Sequence, residues 1–238
     1  MDIPQGYKQT ELGIIPEDWE VFLIGELGYT YSGLLGKTKY DFGTGNANYI
    51  SFLNILTNPY INIKKLERVR IKVGERQNQV AKYDLFFNTS SETPEEVGMC
   101  SVLLSDCPNT FLNSFCFGYR LYDNRKVDGQ FMSYFYRSKS GRNVMSILAQ
   151  GATRYNLSKN SFLESKIALP AITEQQSIAE ALSDIDGLIV ALDKKIAKKR
   201  LIKQGAMQQL LTGKKRLPGF SGPVSYTHLR AHETLRHL

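Results

Sequence analysis

In TEQQSIAEALSDIDGLIVALDKKIAKKRLIKQGAMQQLLTG (173–213), the residues Ile178, Leu182, Ile185, Ile189, Leu192 and Ile196 recur at 4-3-4-3-4 spacing. That is the heptad rhythm of a helix whose narrow apolar seam is buried by a partner helix. Thr173 and Gln176, just after Pro170, have the spacing of a capping box and predict the helix start. Beyond Ile196 the seam turns polar at Lys199 and Lys203. Leu201, Ile202, Met207, Leu210 and Leu211 then carry an apolar face in a shifted register, as after a stutter. Gly213 supplies the stop. Such a helix, roughly 57 Å long at 1.5 Å per residue, is too long to serve as a core element of a small domain. It is expected to protrude and pair. Gly187 and Gly205 each cost about 1 kcal/mol against alanine inside a helix, which close approach of a partner backbone would justify.

Upstream the rhythm differs. WEVFLI (19–24), NYISFL (48–53), RVRIKV (68–73), DLFFN (84–88), MCSVLL (99–104) and FCFGYRLY (115–122) are rich in β-branched and aromatic residues and are separated by Gly, Asn, Asp and Pro. They predict short strands. Between 129 and 150, Phe131, Phe135, Val144, Ile147 and Leu148 fall at helical spacings, and GATRYNLSKN (151–160) reads as a loop. The expected fold class is α+β: a mixed domain followed by a long coiled-coil helix.

The 238 residues carry a net charge of +7, and 42% of them are hydrophobic. No apolar run is long enough to span a bilayer, and the N-terminus has no signal-peptide pattern. Three cysteines, Cys100, Cys107 and Cys116, with no Cys-x-x-Cys, speak against a disulfide framework or a zinc site and for a cytoplasmic setting. Residues 1–173 hold 19 basic and 17 acidic side chains; residues 174–238 hold 11 and 6. The basic excess points to an anionic partner, although much of it lies on the helix, where charges commonly just face solvent. All three histidines, His228, His232 and His237, fall in VSYTHLRAHETLRHL (224–238). That stretch resembles translated sequencing-adaptor read-through and is set aside as non-native.

Four stretches share one resemblance. TELGIIPEDWEVFLIGEL (10–27) looks like the opening of a type I restriction–modification specificity-subunit recognition domain, and DLFFNTSSETPEEVG (84–98) like a mid-domain segment of one. GATRYNLSKNSFLESKIALPAITEQQSIAEALSDID (151–186) is similar to the junction with the family's conserved helix, and QQLLTGKKRLPGF (208–220) to that helix's end. The resemblance implies a DNA target-recognition domain over 1–172, a spacer helix over 173–213 and a linker over 214–223. RLPGFSGPV echoes TELGIIPEDWEV, as if a second repeat began there. A truncated first half and a natural half-subunit that dimerises both fit.

The resemblance further implies a subunit without catalysis of its own that reads half of a split target in double-stranded DNA. Implied partners are modification subunits, which use S-adenosylmethionine to methylate adenine, a translocase–nuclease subunit, and a second recognition half or a homodimer mate engaged through the helix seam. No cofactor and no metal is expected on this chain. Base edges are read by polar side chains on exposed loops. Three loops qualify: GKTKYDFGTGN (36–46) with Lys37, Thr38 and Lys39; NTSSE (88–92) with Asn88, Thr89, Ser90 and Ser91; and GATRYN (151–156) with Thr153, Arg154, Tyr155 and Asn156. Arg154, a fork donor beside an aromatic and next to a flexible glycine, is the leading candidate.

Two rival readings compete. A methyltransferase is suggested by Gly43-x-Gly45 and Asn58-Pro59-Tyr60, but the first lacks a preceding buried strand and the second lacks its second proline. A stand-alone coiled-coil DNA-binding regulator explains the seam equally well; it would bind DNA without a modification subunit.

Overall fold

The computed structural model describes residues 3–221, so the histidine-bearing tail lies outside the described residues. The chain divides between Leu182 and Ser183 into two units.

The first unit opens with β1 (Tyr7–Thr10), β2 (Gly13–Pro16), β3 (Glu20–Leu23), α1 (Ile24–Leu27) and β4 (Gly28–Ser32). A 3-10 turn (Lys39–Asp41) leads to β5 (Phe42–Ile50), α2 (Phe52–Thr57), a second 3-10 turn (Ile63–Lys65) and β6 (Glu67–Val69). Next come β7 (Leu85–Asn88), β8 (Ser90–Ser91), β9 (Cys100–Val102), β10 (Thr110–Leu112) and β11 (Cys116–Leu121). The unit continues through α3 (Gly129–Arg137), α4 (Lys139–Leu148), β12 (Ala149–Gln150), β13 (Tyr155–Leu157), α5 (Lys159–Leu163) and β14 (Lys166–Leu169) into α6 (Ile172–Leu210).

The central sheet has the order β4-β11-β7-β9, antiparallel throughout. β7 and β9 are buried on both faces and β11 nearly so, while the edge strand β4 exposes Tyr29. Strand side chains alternate, so Leu85 and Phe87 enter the main core while Phe86 enters a second cluster with Tyr31, Ile50 and Leu112. Gly118 lies where a Cβ would come within 2.1 Å of the Tyr31 ring, so only glycine lets that ring lie on the sheet. The main core centres on Phe162 from α5. Its ring stands 4.8 Å from Phe87, 5.5 Å from Phe117, 5.4 Å from Tyr119 and 5.9 Å from Tyr136.

Two half-buried guanidiniums join helices to loops. Arg137 donates to the carbonyls of Cys100, Ile55 and Asn58, and Arg142 to those of Glu95, Val97 and Gly98. These carbonyls have no ladder partner of their own, and charge-assisted bonds satisfy them.

The expected strands at 19–24, 84–88, 99–104 and 115–122 are present. NYISFL instead ends its strand at Ile50 and begins α2 at Phe52. RVRIKV leaves the ladder after Val69, because Ile71 N–H donates to the Asn46 side chain and Lys72 N–H to the Glu75 carboxylate. The helical stretch at 129–150 breaks at Ser138, whose backbone is extended and whose hydroxyl accepts from Gly141 N–H to cap α4.

The start of α6 corrects the expected capping box. The helix begins at Ile172, with the Ala171 carbonyl accepting from Gln175 N–H, so Thr173 is already inside it. The neighbouring Gln175 is the buried one. Its amide donates to the Pro170 and Lys126 carbonyls and accepts from Asp128 N–H, and Asp128 in turn caps α3. Ala179 is buried and Ile178 packs against the main core, so the first member of the seam is used within its own domain. Gly213 has φ of 68°, as expected of a residue ending the helix.

In the second unit, Ile185, Ile189, Leu192 and Ile196 are all exposed, as are Leu201, Ile202, Met207 and Leu211. A Cβ added at Gly187 or Gly205 would meet nothing within 4 Å.

Candidate nucleic-acid interface

Two of the three polar loops become one surface. Residues 155–157 are not loop but strand β13, which pairs with β8 in the register Tyr155↔Ser91 and Asn156↔Ser90. This pairing joins segments more than sixty residues apart, which no local pattern encodes. Arg154 Nη2 donates to Ser90 Oγ at 3.2 Å, and its side chain, like those of Thr153 and Asn156, is exposed. Gly151 has φ of 136°, and a Cβ there would stand 2.1 Å from the Arg154 carbonyl. The glycine therefore serves close backbone approach rather than flexibility. Tyr155 packs partly onto the main core, which steadies the strand beneath Arg154.

Asn88 and Thr89 lie beneath this surface. Asn88 is fully buried; its amide donates to the carbonyls of Ser90 and Glu96 and accepts from Met99 N–H at 2.5 Å. It shapes the 88–98 turn from within. Thr89 Oγ1 donates to the Phe115 carbonyl at 2.8 Å. Ser91 Oγ donates to Glu96.

The first loop is anchored differently. The Lys37 side chain is only 3% exposed, and its Nζ donates to the Arg70 carbonyl at 2.6 Å and to Glu75 at 2.7 Å. This ammonium points inward and joins the loop to the segment after β6. The bond from Lys37 holds the Glu75 carboxyl down at about 2, helped by Lys72 N–H and Gln77. Thr38 donates through its backbone N–H and its hydroxyl to Asp41, and these bonds lower the Asp41 carboxyl below its ordinary range. Lys39 is exposed, with Nζ 5.2 Å from the Tyr40 ring centroid.

The turn at 113–115 joins the two regions. Phe115, 61% exposed, lines a groove of about 480 Å³ with Thr38, Lys39, Tyr49, Leu53 and Asn113. The Phe115 carbonyl accepts from both the N–H and the hydroxyl of Thr89. One continuous surface therefore runs from Arg154 through Ser90 and Phe115 to Lys39. Neither Phe115 nor the turn that carries it is among the loops chosen from the sequence. Its signal there is Asn113-Ser114 between two strands, with an aromatic that the strand pattern absorbs.

Neither methyltransferase motif has the setting it needs. Gly43 and Gly45 occupy positive-φ positions at an irregularity where β5 pairs with β6, and a Cβ at Gly45 would lie 2.3 Å from the Val69 backbone. No helix follows them at a loop. The carbonyls of Asn58 and Pro59 accept from Arg137 and Ser133, which fixes that segment to the core. Cys100 and Cys116 are buried, and burial pushes the Cys116 thiol up to about 12. Among the described residues no cluster of His, Cys, Asp or Glu could hold a metal ion, and no helix is long and apolar enough to cross a membrane.

Solved structures share this fold. The fold is similar to that of the type I restriction–modification S subunit from M. genitalium, with a TM-score of 0.53 and 19% identity over 88% of this chain and 47% of that one. It is likewise similar to the HsdS subunit from Thermoanaerobacter tengcongensis, with a TM-score of 0.53 and 14% identity over 86% and 47%. The family model for the type I restriction modification DNA specificity domain matches residues 16–200, and the chain belongs to that family. Curated relatives include the MjaX specificity subunit of Methanocaldococcus jannaschii, 29% identical over 87% of this chain and 49% of that protein. The MjaVIII specificity subunit of the same organism is 26% identical over 90% and 50%. The chain spans about half the length of the curated relatives it matches.

Proposed function

We propose that this chain reads one half of a bipartite DNA target for a type I restriction–modification complex. The observation that carries this reading is the continuous surface from Arg154 to Lys39, on which exposed fork and amide donors stand on a buried frame. Family membership supplies the context. The chain acts as a non-catalytic specificity subunit, and the S-adenosylmethionine chemistry belongs to a modification subunit docked beside it. A translocase–nuclease subunit joins the same scaffold. The exposed seam at Ile185, Ile189, Leu192 and Ile196 pairs with a second helix, from a second repeat or a second copy.

The test is methylome mapping in cells that express the chain with the modification subunit of its own locus. A split palindromic motif carrying methyladenine is the outcome of two copies pairing. Methylation restored only by a gene with two repeats means that the partner helix lies in sequence beyond this chain. DNA binding that needs no modification subunit, with no methylation in either case, would overturn the assignment in favour of a free-standing regulator.

Two outcomes follow from the geometry. Arg154→Ala lowers the preference for target over random duplex by about 1–3 kcal/mol, the worth of one bidentate base contact. Competition binding measures it, and an unchanged ratio removes Arg154 from the reading set. Deleting one heptad from residues 183–210 shortens the helix by about 10 Å. The two half-sites of the methylated motif then approach by roughly three base pairs at 3.4 Å each. A motif of unchanged spacing is incompatible with a helical ruler.

A further inference from the structure

The charge of the recognition domain is not evenly spread. Residues 64–82 hold seven cations, Lys64, Lys65, Arg68, Arg70, Lys72, Arg76 and Lys82, against two carboxylates, Glu67 and Glu75. The rest of residues 1–173 carries more carboxylates than cations. The 84–98 stretch has four carboxylates and no lysine or arginine, and three of them, Glu92, Glu95 and Glu96, are exposed close to the β8–β13 surface.

The cations of the 64–76 stretch face outward for a simple reason. β6 is an edge strand, in the order β10-β5-β6. The alternation of side chains continues past its end, so Val69 and Ile71 pack into a small core while Arg68, Arg70 and Lys72 are exposed. The carboxylates beside them are engaged by the protein. Glu67 accepts from the Tyr49 hydroxyl, Glu75 from Lys37, and Asp41 from Thr38. Arg68 spends part of its guanidinium on Asn48 and the Gly45 carbonyl. No side-chain hydrogen bond to another described residue holds Arg70 or Lys72. An edge strand lined with cations also resists pairing with other strands, but that purpose does not require the neighbouring carboxylates to be turned to partners within the protein rather than to these cations. Lys37 bonds to the Arg70 carbonyl and Asn46 to the Ile71 carbonyl, so this stripe adjoins the loop that carries Lys39.

We infer that the outward face of β6 and its continuation, with Arg70 and Lys72 at its centre and Lys64 and Lys65 at one end, grips the phosphate backbone of duplex DNA. This rests on the DNA-reading function proposed above and divides its labour. The acidic surroundings of Arg154 repel phosphate, so the β8–β13 surface contributes base contacts. The β6 stripe contributes affinity that does not depend on sequence.

The experiment measures binding of the full chain, together with the modification subunit of its own locus, to a random-sequence duplex by fluorescence anisotropy across a salt series. Each phosphate contact adds about 0.9 to the slope of log affinity against log salt. Arg70→Gln with Lys72→Gln should flatten the slope by about 2, so the affinity loss between 50 and 200 mM salt shrinks roughly tenfold. The charge-keeping pair Arg70→Lys and Lys72→Arg should retain the slope, which separates lost charge from lost structure. If the parent chain binds duplex and the glutamine pair binds with the same slope, this assignment is overturned while the DNA-reading function stands. If the parent binds no duplex at any salt, both fall.

Discussion

Phe162→Ala is expected to cost about 3–5 kcal/mol of stability, the range for removing a buried aromatic ring and leaving a cavity. The ring is fully buried and meets four other aromatics from β7, β11 and α3. α5 has only five residues, too few to hold itself by its own hydrogen bonds. Its docking onto the sheet depends on that ring. β13 precedes it directly, so loosening α5 also loosens the strand beneath Arg154. Denaturant unfolding gives the number. A loss below 1 kcal/mol would mean that the site collapses freely and that the aromatic cluster is not the centre of the domain.

Asp84→Ala is expected to cost about 3 kcal/mol, at the lower end of the range for breaking a buried ion pair. The carboxylate is 1% exposed, and it accepts from both arms of Arg120, from the Tyr31 hydroxyl at 2.5 Å and from Ala81 N–H. Its loss leaves the Tyr31 hydroxyl, the Ala81 N–H and Arg120 Nε without their acceptor, while Arg120 Nη2 keeps its bond to the Gln79 carbonyl. The Arg120 side chain remains 33% exposed, so water recovers part of the cost. Pairing the change with Arg120→Met should recover a further part, because the stranded cation is then gone. A double-mutant cycle that shows simple additivity would mean that the two side chains do not act together.

The long helix is the most legible element, because a period maintained over six seam positions reads as helix whether the seam meets a partner or, as at Ile178, its own domain. Its start is not. Thr173 and Gln176 have the right spacing, yet the buried partner is Gln175, whose bonds reach Lys126 and Asp128 some fifty residues back. Central strands such as DLFFN were legible from composition alone. β8 and β13 were not, since SS and YNL carry no strand signal and become strands only through long-range pairing, β13 lying between β12 and β8. The candidate site followed the same rule. Exposed polar loops could be named from sequence, but polarity does not distinguish a side chain that faces outward from one used within. Arg154 and Lys39 face solvent; Lys37 and Asn88 are polar because they hold the chain together. The charged face of RVRIKV is legible as the alternation of Arg68, Arg70 and Lys72 with Val69 and Ile71.

That division has an evolutionary consequence. The residues that fix the shape of the surface, Lys37 with Glu75, Asn88 with the 96–99 turn, and Arg142 with the carbonyls at 95–98, all act inside the fold. Thr153, Arg154 and Asn156 can change without disturbing any of them. On the proposed reading, in which these side chains contact bases, new target sequences are reachable through single substitutions on an intact chassis, and each intermediate along such a path remains a folded, heritable protein.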